Sequence, residues 1–267
     1  IEILKWSLTK QQKDKVKEDL KSWKINLLVW THAVIQDDVQ FKDLMYVVID
    51  EQHKFWVKQR SAFNKFGSPH ILQMSATPIP RSMALAFFWE FDVSVIDELP
   101  AWRKEINTKI ITESEYIKLK QWILSKISQK QKVFIVTPLI EESDKIDLKS
   151  ATVEFEEVKQ LFPWLSNRIW LLHWKMKPSE KDEVMKWFKW DKFDILVSTT
   201  VIEVWVDVPE ATIMVIKNAE RFWLSQLHQL RGRVGRGKKQ AYCYLITKIT
   251  YGQFKNRVEQ MAGTLNS

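Results

Sequence analysis

Four polar residues, 50–53 (Asp-Glu-Gln-His), directly follow the apolar run Tyr46–Ile49. A short apolar run of this kind is typical of a strand buried on both faces of a parallel sheet. Parallel sheets bind their ligands at the carboxyl ends of the strands. Asp50 is therefore placed to hold a phosphate-bound Mg²⁺ through the metal's water shell, and Glu51 to polarise an attacking water. The alternative is a strand that simply ends in a charged turn.

A second candidate site is the run 229–237, which reads QLRGRVGRG. Small glycines separate its arginines, which leaves the guanidinium groups of Arg231, Arg233 and Arg236 free to meet phosphate oxygens. An arginine that reaches a transferring γ-phosphoryl group from a second lobe acts as an arginine finger. Two other interpretations stay open for this run: a solvated basic loop, and a contact to a nucleic-acid backbone.

The composition is that of a globular protein with a polyanionic partner. The chain has 267 residues, which suggests about two domains. Its net charge of +8, from 41 basic and 33 acidic residues, favours a partner such as nucleic acid. No apolar run approaches the ~18 residues of a membrane span, so we expect no membrane association. Cys243 is the single cysteine, which excludes a disulfide framework and fits a reducing cytoplasm.

Strands alternate with helices along the whole sequence, which predicts an α/β fold with parallel, doubly wound sheets. Thr9 is a suitable N-cap for a first helix that ends near Lys21. The strands expected in the first half are 25–30, 46–49, 70–74 and 93–96, with helices at 55–66 and 81–89. The strands expected in the second half are 106–111, 133–137, 168–172, 194–198, 212–216 and 241–246, and a single helix is expected at 115–127 between the first two. Two such halves predict two lobes, and another helix is expected from residue 255.

Several motifs in this order resemble the motor core of superfamily 2 helicases. They are Thr31-His32, 50–53, Ser75-Ala76-Thr77, the run 197–208 and the run 229–236. The longer motifs are similar to those of the RecG family of branch-migrating DNA helicases, and the resemblance covers nearly the whole chain. The transcription-repair coupling translocases are near relatives, but IDELP at 96–100 and PLIEES at 138–143 favour RecG.

The resemblance implies two RecA-like parallel-sheet lobes, the first incomplete at its N-terminus. The expected bounds are 1–96 for the first lobe, 97–112 for a linker, 113–254 for the second lobe, and 255–267 for the start of a truncated C-terminal segment. It also implies an ATP-dependent, Mg²⁺-requiring DNA helicase or translocase that remodels forks and Holliday junctions in recombination and repair. We expect a monomer in the bacterial cytoplasm. The alternatives are the coupling translocase and a truncated nucleic-acid-binding module without ATPase activity.

The resemblance assigns roles around ATP. Asp50 would hold Mg²⁺ and Glu51 would orient the hydrolytic water. Residues on the first lobe would sense the γ-phosphate and relay its state: Gln52, His53, Ser75, Ala76 and Thr77. Residues on the second lobe would complete the site: Arg233 and Arg236 as fingers, Gln229 beside them, and Asp207 at the ribose or the cleft.

The resemblance also assigns contacts to the DNA backbone. These would come from Thr31, His32, Thr199 and Thr200. Simpler interpretations exist for single residues: His53 could cap the next helix, Thr199 and Thr200 could form an N-cap pair, and His173 could be a satisfied loop histidine.

Two departures from the family qualify these expectations. The sequence contains no G-x-x-x-x-G-K-[ST] phosphate loop. We therefore expect a fragment that lacks this loop and the DNA-junction wedge, and that by itself binds ATP poorly and hydrolyses it hardly at all.

The second departure concerns tryptophan. The chain has 14 Trp and 6 Gly. Tryptophan stands at eleven positions where the family would have glycine: Trp6, Trp23, Trp30, Trp56, Trp89, Trp102, Trp164, Trp170, Trp174, Trp205 and Trp223. Trp can be a stacking platform for single-stranded bases. The favoured hypothesis is that UGA codons for glycine have been translated as tryptophan.

Overall fold

The computed structural model describes residues 1–5, 8–30, 39–50, 66–67, 69–75, 92–96, 98, 100, 103–138, 144–173, 175–199 and 208–248. The helices expected at 55–66, 81–89 and from 255 lie outside these residues, apart from Phe66. The chain divides into two compact units, Ile1–Pro78 and Ile79–Ser267. Each unit has its own parallel sheets. The expected lobe and linker bounds stay predictions.

The first unit contains two pairs of parallel strands. Strand β1 (Glu2–Leu4) pairs with β2 (Leu28–Trp30), and β3 (Tyr46–Ile49) pairs with β4 (His70–Gln73). Helix α1 (Lys10–Lys21) connects the first pair. Because the pairing within each of the two pairs is parallel, the predicted parallel strand pairing of this unit is confirmed.

Helix α1 begins where the sequence predicts. The backbone N–H of Gln12 donates to the hydroxyl of Thr9 at 3.3 Å, and the N–H of Thr9 donates to Gln12 Oε1 at 2.9 Å. This reciprocal pair is a capping box, which satisfies backbone groups that the first turn leaves unpaired. The apolar side of the helix, Val16 and Leu20, is buried against Leu4, Leu28 and Val39.

The second unit is built on one six-stranded sheet, in the order β5-β10-β9-β6-β8-β7, and every pairing in it is parallel. Its strands are β5 (Asn107–Ile111), β6 (Lys132–Val136), β7 (Ile169–Leu172), β8 (Ile195–Ser198), β9 (Ala211–Ile216) and β10 (Tyr242–Ile246). Its helices are α2 (Glu113–Lys118), α3 (Lys120–Ser128), α4 (Asp144–Leu161), α5 (Pro178–Lys189) and α6 (Leu224–Arg231). Short 3₁₀ helices span Pro163–Arg168 and Ala219–Arg221.

Both faces of this sheet are buried. On β6, Val133 and Ile135 pack into the core that contains α3 residues, while Phe134 and Val136 pack into the core that contains α5 and α6 residues. Helices on both faces remove all of these side chains from water, so a continuous apolar run can form a strand with no exposed side. This confirms the predicted α/β fold class.

The structure corrects two expectations. The strand expected at 93–96 is absent, because residues 92–96 have no strand partner and Val93, Val95 and Ile96 are exposed. An apolar run becomes a strand only where a neighbouring strand accepts its hydrogen bonds. The single helix expected at 115–127 is two helices, α2 and α3, which meet at Leu119.

A buried lysine is the first residue of β6. Lys132 is 1% exposed, and its Nζ lies 2.7 Å from Asp191 Oδ1 and 3.1 Å from the carbonyl oxygen of Phe193. The same ammonium lies 5.3 Å from the ring centroid of Phe188. A buried charge is tolerated when it is paired in this way, and the strand end is thereby joined to the turn after α5.

We predict that Asp191→Asn destabilises the protein more than Lys132→Met. Asp191 has φ 61°, a conformation that Asn also adopts, so Asp191→Asn removes the charge alone. It leaves Lys132 buried without its counter-ion, at a cost of about 1 kcal/mol, because the Asp191 side chain is 58% exposed and partly screened. In Lys132→Met, Asp191 keeps its solvation. Urea unfolding of both variants measures the difference.

The Lys132–Asp191 pair also predicts that the stability of the folded protein depends on pH. The Lys132 ammonium, chiefly through its hydrogen bond, lowers the pKa of Asp191. A lowered pKa in the folded state gives stability that is present above the unfolded value, about 3.9, and is lost as the pH falls through the folded value. Acid unfolding of Asp191→Asn should lack this contribution. Identical acid profiles for the variant and the parent would contradict the pairing.

Candidate nucleotide and nucleic-acid site

The carboxyl ends of β3 and β4 lie side by side in the first unit. Ile49 pairs with Gln73, and the N–H of Met74 donates to the carbonyl oxygen of Ile49 at 2.8 Å. Asp50 and Ser75 therefore follow adjacent strands at one edge of the sheet. Asp50 is exposed and Ser75 partly buried. An exposed carboxylate at this edge is suited to a hydrated Mg²⁺, which keeps several of its waters.

Many of the predicted site residues lie outside the described part of the chain, and their roles stay predictions. They are Thr31, His32, Glu51, Gln52, His53, Ala76, Thr77, Thr200 and Asp207.

The predicted arginine run forms the end of α6 and the loop that follows it. Gln229 lies in the last turn of α6, and the loop spans 232–237, named here the arginine loop. Val234 is fully buried, while Arg233 and Arg236 are partly exposed on either side of it. Arg236 Nε donates to the carbonyl oxygen of Gly232 at 3.4 Å. The buried valine thus fixes the loop, and the two flanking guanidinium groups remain within reach of solvent.

Two glycines let the arginine loop pack closely on its neighbours. Gly235 has φ 75°, and a Cβ there would lie 3.2 Å from both Ala241 Cβ and Ile106 Cγ1. At Gly237 a Cβ would lie 2.8 Å from the carbonyl oxygen of Pro209. Real Cβ atoms do not approach a backbone oxygen so closely. The position of the loop therefore depends on both residues remaining glycine.

The third arginine of the run has a different environment. Arg231 ends α6, and its burial is the main cause of a lowered pKa. Arg103 lowers the pKa further, while Cys243 and Glu105 oppose the shift. Burial also raises the pKa of Cys243 to about 12, so the thiol is neutral and unreactive at neutral pH. Arg231 is thus a half-buried structural arginine, distinct from the two in the loop.

A row of polar residues follows three adjacent strands of the second unit. Thr137, Thr199 and His173 come directly after β6, β8 and β7. The N–H of Thr137 donates to the carbonyl oxygen of Ser198 at 2.9 Å, and the N–H of Thr199 to that of Leu172 at 3.4 Å. The three residues therefore stand side by side, and we name them the carboxyl-edge row.

The side chains of this row carry unpaired polar atoms. Among the described residues, the hydroxyls of Thr137 and Thr199 and Nδ1 of His173 are buried without a hydrogen-bond partner. Such a group costs about 1–3 kcal/mol, so each one points to a ligand or a functional role. Burial, and then the charge of Lys181, lower the pKa of His173. Its imidazole is therefore neutral at neutral pH, and the row offers neutral hydrogen-bonding groups.

A lysine next to the row is held by carboxylates. Lys217 follows β9, and its N–H donates to the carbonyl oxygen of Val136 at 2.8 Å. Its Nζ lies 2.5 Å from Glu113 Oε1, 3.0 Å from Glu154 Oε1 and 4.8 Å from the ring centroid of Tyr116. Burial raises the pKa of Glu154, and Lys217 opposes that shift. The charge of Lys217 is thus used to join β9 to α2 and α4.

Comparisons with known proteins connect both units to one family. The DEAD/DEAH box helicase family model matches residues 2–85, and the helicase conserved C-terminal domain matches residues 114–238. The ATP-dependent DNA helicase RecG of Aquifex aeolicus is 53% identical over 259 residues, which is 96% of this chain and 32% of that protein. The RecG of Bacillus subtilis is 44% identical over 265 residues, 99% of this chain and 39% of that protein.

The solved structure of RecG bound to a three-way DNA junction is 42% identical to this chain in sequence, with a TM-score of 0.74. The matched region covers 100% of this chain and 34% of the RecG chain. The chain belongs to the RecG family of superfamily 2 helicases. The resemblance seen in the sequence is thereby confirmed, as are the RecA-like lobes. The structure of the helicase MrfA bound to DNA and AMPPNP, 15% identical with a TM-score of 0.67, shares the fold alone.

This RecG-type chain spans about a third of the length of the curated relatives it matches. It covers 32% of the Aquifex aeolicus protein and 39% of the Bacillus subtilis protein. The activity of the whole protein is therefore a matter for proposal. Among the described residues, no helix is long and apolar enough to cross a membrane, and no group of three or more His, Cys, Asp or Glu side chains is placed to hold a metal ion.

Sequence reasoning missed two members of the row in this RecG-type chain. Thr137 was not singled out, and His173 was interpreted as a satisfied loop histidine, whereas its Nδ1 is buried without a hydrogen bond. The signal was present: each is the first residue after a buried strand, the same position that marked Thr199. The predicted N-cap interpretation of Thr199 is not tested, because residues 200–207 lie outside the described part of the chain.

We predict that Gly237→Ala and Gly235→Ala each destabilise the second unit by about 1–3 kcal/mol. The first forces a methyl group against the Pro209 carbonyl, and the second adds a Cβ at positive φ in a tight contact. Thermal unfolding measures the loss, and hydrogen exchange of residues 232–237 measures displacement of the loop.

Gly232→Ala is the matched control. Gly232 has φ −65°, and the nearest atoms to an added Cβ are carbonyl oxygens at 3.5 Å, an ordinary contact. The free energy of unfolding of the Gly232→Ala variant should differ from that of the parent by less than about 0.5 kcal/mol. Equal losses in all three variants would show that the loop is sensitive to any side chain and would contradict the specific contacts.

Proposed function

We propose that this chain forms the motor of an ATP-dependent DNA helicase that remodels branched DNA such as forks and Holliday junctions in recombination and repair. The observation that carries the proposal is the arginine loop: two partly exposed arginines, held by a buried valine and two obligatory glycines, in a chain that belongs to the RecG family. The relatives are named as ATP-dependent DNA helicases.

Hydrolysis of ATP needs charge compensation on both sides of the γ-phosphate. In the proposal, Asp50 holds a hydrated Mg²⁺, which neutralises phosphate charge when bound. Glu51 orients the attacking water. Arg233 and Arg236 stabilise the charge that develops on the transferred group. The exposure of Asp50 at the end of β3 and of both arginines beside Val234 supports these roles.

The remaining predicted residues complete the proposal for ATP. Those assigned to sensing the nucleotide or to the cleft are Gln52, His53, Ser75, Ala76, Thr77, Asp207 and Gln229. Ser75 follows the strand next to that of Asp50, which is the placement that a relay between them needs.

DNA is proposed to contact the strand ends of both units. Thr31 and His32 follow β2 in the first unit, and Thr199 and Thr200 follow β8 in the second. Within the second unit, the carboxyl-edge row adds Thr137 and His173 to the proposed contacts, because two hydroxyls and a neutral imidazole can hydrogen-bond phosphate oxygens without reading sequence. The net charge of +8 supports a polyanionic ligand.

Two other functions are less well supported. A transcription-repair coupling translocase is not favoured, because the relatives described above are RecG proteins. A module that binds nucleic acid without hydrolysing ATP would use the arginines only as contacts to the nucleic-acid backbone, which the Arg236→Ala assay below distinguishes from a finger. We further propose that the protein acts as a monomer in the bacterial cytoplasm. Because the sequence contains no G-x-x-x-x-G-K-[ST] motif, assays of ATP turnover should use the complete gene product.

We predict that Arg236→Ala in the complete protein lowers DNA-stimulated ATP hydrolysis by about 10³-fold or more, while DNA still binds. An arginine finger acts on the transition state, so its loss lowers the rate and not the affinity for DNA. Glu51→Gln should likewise stop turnover and leave binding of ATP and DNA nearly intact. Steady-state ATPase assays with and without branched DNA measure both.

Arg236→Lys is the control for charge. It keeps the positive charge but loses the planar fork that meets two phosphate oxygens, so it should recover little of the rate. If Arg236→Ala kept more than about a tenth of the DNA-stimulated rate, Arg236 would be a backbone contact and not a finger.

We predict that Thr137→Val and Thr199→Val weaken DNA binding without lowering protein stability. Each change removes a buried hydroxyl that has no partner among the described residues, so the free protein loses no hydrogen bond. Bound DNA, in contrast, loses a donor to phosphate. Fluorescence anisotropy with branched DNA and thermal unfolding measure the two effects.

The matched control is Thr212→Val. The hydroxyl of Thr212 is buried and donates to Gln131 Oε1 at 2.6 Å, so its removal leaves a buried acceptor unpaired. This variant should lose about 1–3 kcal/mol of stability and keep its affinity for DNA. Unchanged DNA affinity in both Thr137→Val and Thr199→Val would remove the row from the proposed DNA surface.

A further inference from the structure

Six of the eight described tryptophans fall into two groups by environment. The other two are intermediate: Trp30 is partly buried, and Trp170, 38% exposed, stacks on Phe193 at 4.9 Å. Trp122 and Trp187 are partly buried and packed: Trp122 lies edge-to-face on Tyr242 at 4.8 Å, and the Lys192 ammonium lies 3.6 Å from the ring centroid of Trp187. A second group is largely exposed: Trp23 at 51%, Trp164 at 86%, Trp190 at 75% and Trp223 at 70%. Trp is highly buried on average, so indoles this exposed are unusual for this residue type.

Trp23 has the backbone conformation of a helix-ending glycine. Its φ is 62°, in the left-handed region. Its N–H donates to the carbonyl oxygen of Leu20 at 3.5 Å, and the N–H of Lys24 donates to that of Asp19 at 3.1 Å. These are the two hydrogen bonds of a Schellman motif after α1, with Trp23 at the position that glycine usually occupies.

This conformation is costly for a large side chain. The other described non-glycine residues with positive φ are Lys130, Asp191 and Asn218, two of which are of the types that tolerate it. In the left-handed region Cβ crowds the following carbonyl oxygen, and glycine avoids this cost because it has no Cβ. A role in stacking on nucleic-acid bases would explain an exposed indole, but it would not explain the left-handed backbone.

Trp223 occupies another position that suits glycine. It is the N-cap of α6, with φ −67° and ψ 150°, and its side chain makes no capping hydrogen bond. The indole has a donor and no acceptor, so it cannot satisfy the N–H groups of the first turn. Residues with an oxygen acceptor, and glycine, are the ones preferred at this position. Both helix ends thus carry Trp at a cap position that other residues suit better, and at Trp23 the backbone itself favours glycine.

We propose that residues 23 and 223 are glycine in the natural protein, and that their codons are UGA, which the source organism decodes as glycine. UGA is read as stop, tryptophan or glycine in different genetic codes, so reading it as tryptophan would place Trp at each such codon. Packed Trp122 and Trp187 are genuine tryptophans, encoded by UGG. The inference does not depend on the proposed helicase activity.

The gene and the natural protein test the proposal directly. We expect TGA in the coding DNA at positions 23 and 223, and TGG at 122 and 187. Peptide sequencing by mass spectrometry of the protein from its source organism should find glycine at 23 and 223 and tryptophan at 122. TGG at position 23, or a peptide carrying Trp23, would overturn the proposal.

The backbone requirement is tested separately by unfolding of the 267-residue chain. Trp23→Gly should raise the ratio of folded to unfolded protein about tenfold, because the left-handed strain is removed. Trp122→Gly is the matched control, and it should lower that ratio, because it removes the aromatic contacts and puts glycine inside α3. A lower ratio for Trp23→Gly would show that the indole stabilises the fold and would overturn the structural argument.

Discussion

The burial of both faces of the six-stranded sheet is the constraint on which the second unit depends. Helices cover each face, so β6, β8 and β9 must be apolar along their whole length apart from Lys132, Ser198 and Thr212. Polar side chains with a chemical role are consequently displaced to the strand ends. At the carboxyl edge this places Thr137, Thr199 and His173 side by side. The position of the proposed DNA surface follows from the requirements of the core.

Two buried lysines join the sheet to its surroundings. Lys132 is the first residue of β6 and is paired with Asp191. Lys217 follows β9 and is paired with Glu113 and Glu154. Each lysine is almost fully desolvated, and each is compensated by a carboxylate on a different element of the unit. The pairs thus fix the turn after α5 and the helices α2 and α4 against particular strand ends. Only the Lys217 pairs lie at the carboxyl edge, because Lys132 is at the amino end of β6, and neither lysine takes part in the proposed chemistry.

Some positions whose backbone requires a residue without a Cβ carry glycine, and one carries tryptophan. The arginine loop keeps glycine at 235 and 237, where a Cβ would meet neighbouring atoms at 3.2 Å and 2.8 Å. The end of α1 has the same need for a residue without a Cβ, yet position 23 carries Trp with φ 62°. The backbone requirement is the same at positions 23, 235 and 237, so it would favour glycine at all three. A difference between their codons accounts for the contrast, because only one kind of glycine codon would be read as tryptophan.

The sequence by itself determined the fold class, the family and most strand positions. A buried parallel strand needs an uninterrupted apolar run, and 133–136 has that signature and is buried. Tyr46–Ile49 has the same signature and pairs in parallel with β4, but Tyr46 and Val48 are exposed in the described structure, so the predicted burial on both faces is not found there. Local chemistry also determined the start of α1, because Thr9 and Gln12 are three residues apart and cap one another. The run at 93–96 has the same local signature as a strand but no partner, and local sequence does not contain that information.

Tertiary structure decided what depends on distant neighbours. The pairing of Lys217 with Glu113 joins residues 104 positions apart, and that of Lys132 with Asp191 joins different elements. All three arginines of the motif are partly exposed, but the fold places Arg231 at the end of α6 and Arg233 and Arg236 in the loop that follows it. The unpaired polar atoms of the carboxyl-edge row were likewise invisible in the sequence, because burial and hydrogen bonding of a side chain are set by strands that meet only in the folded sheet.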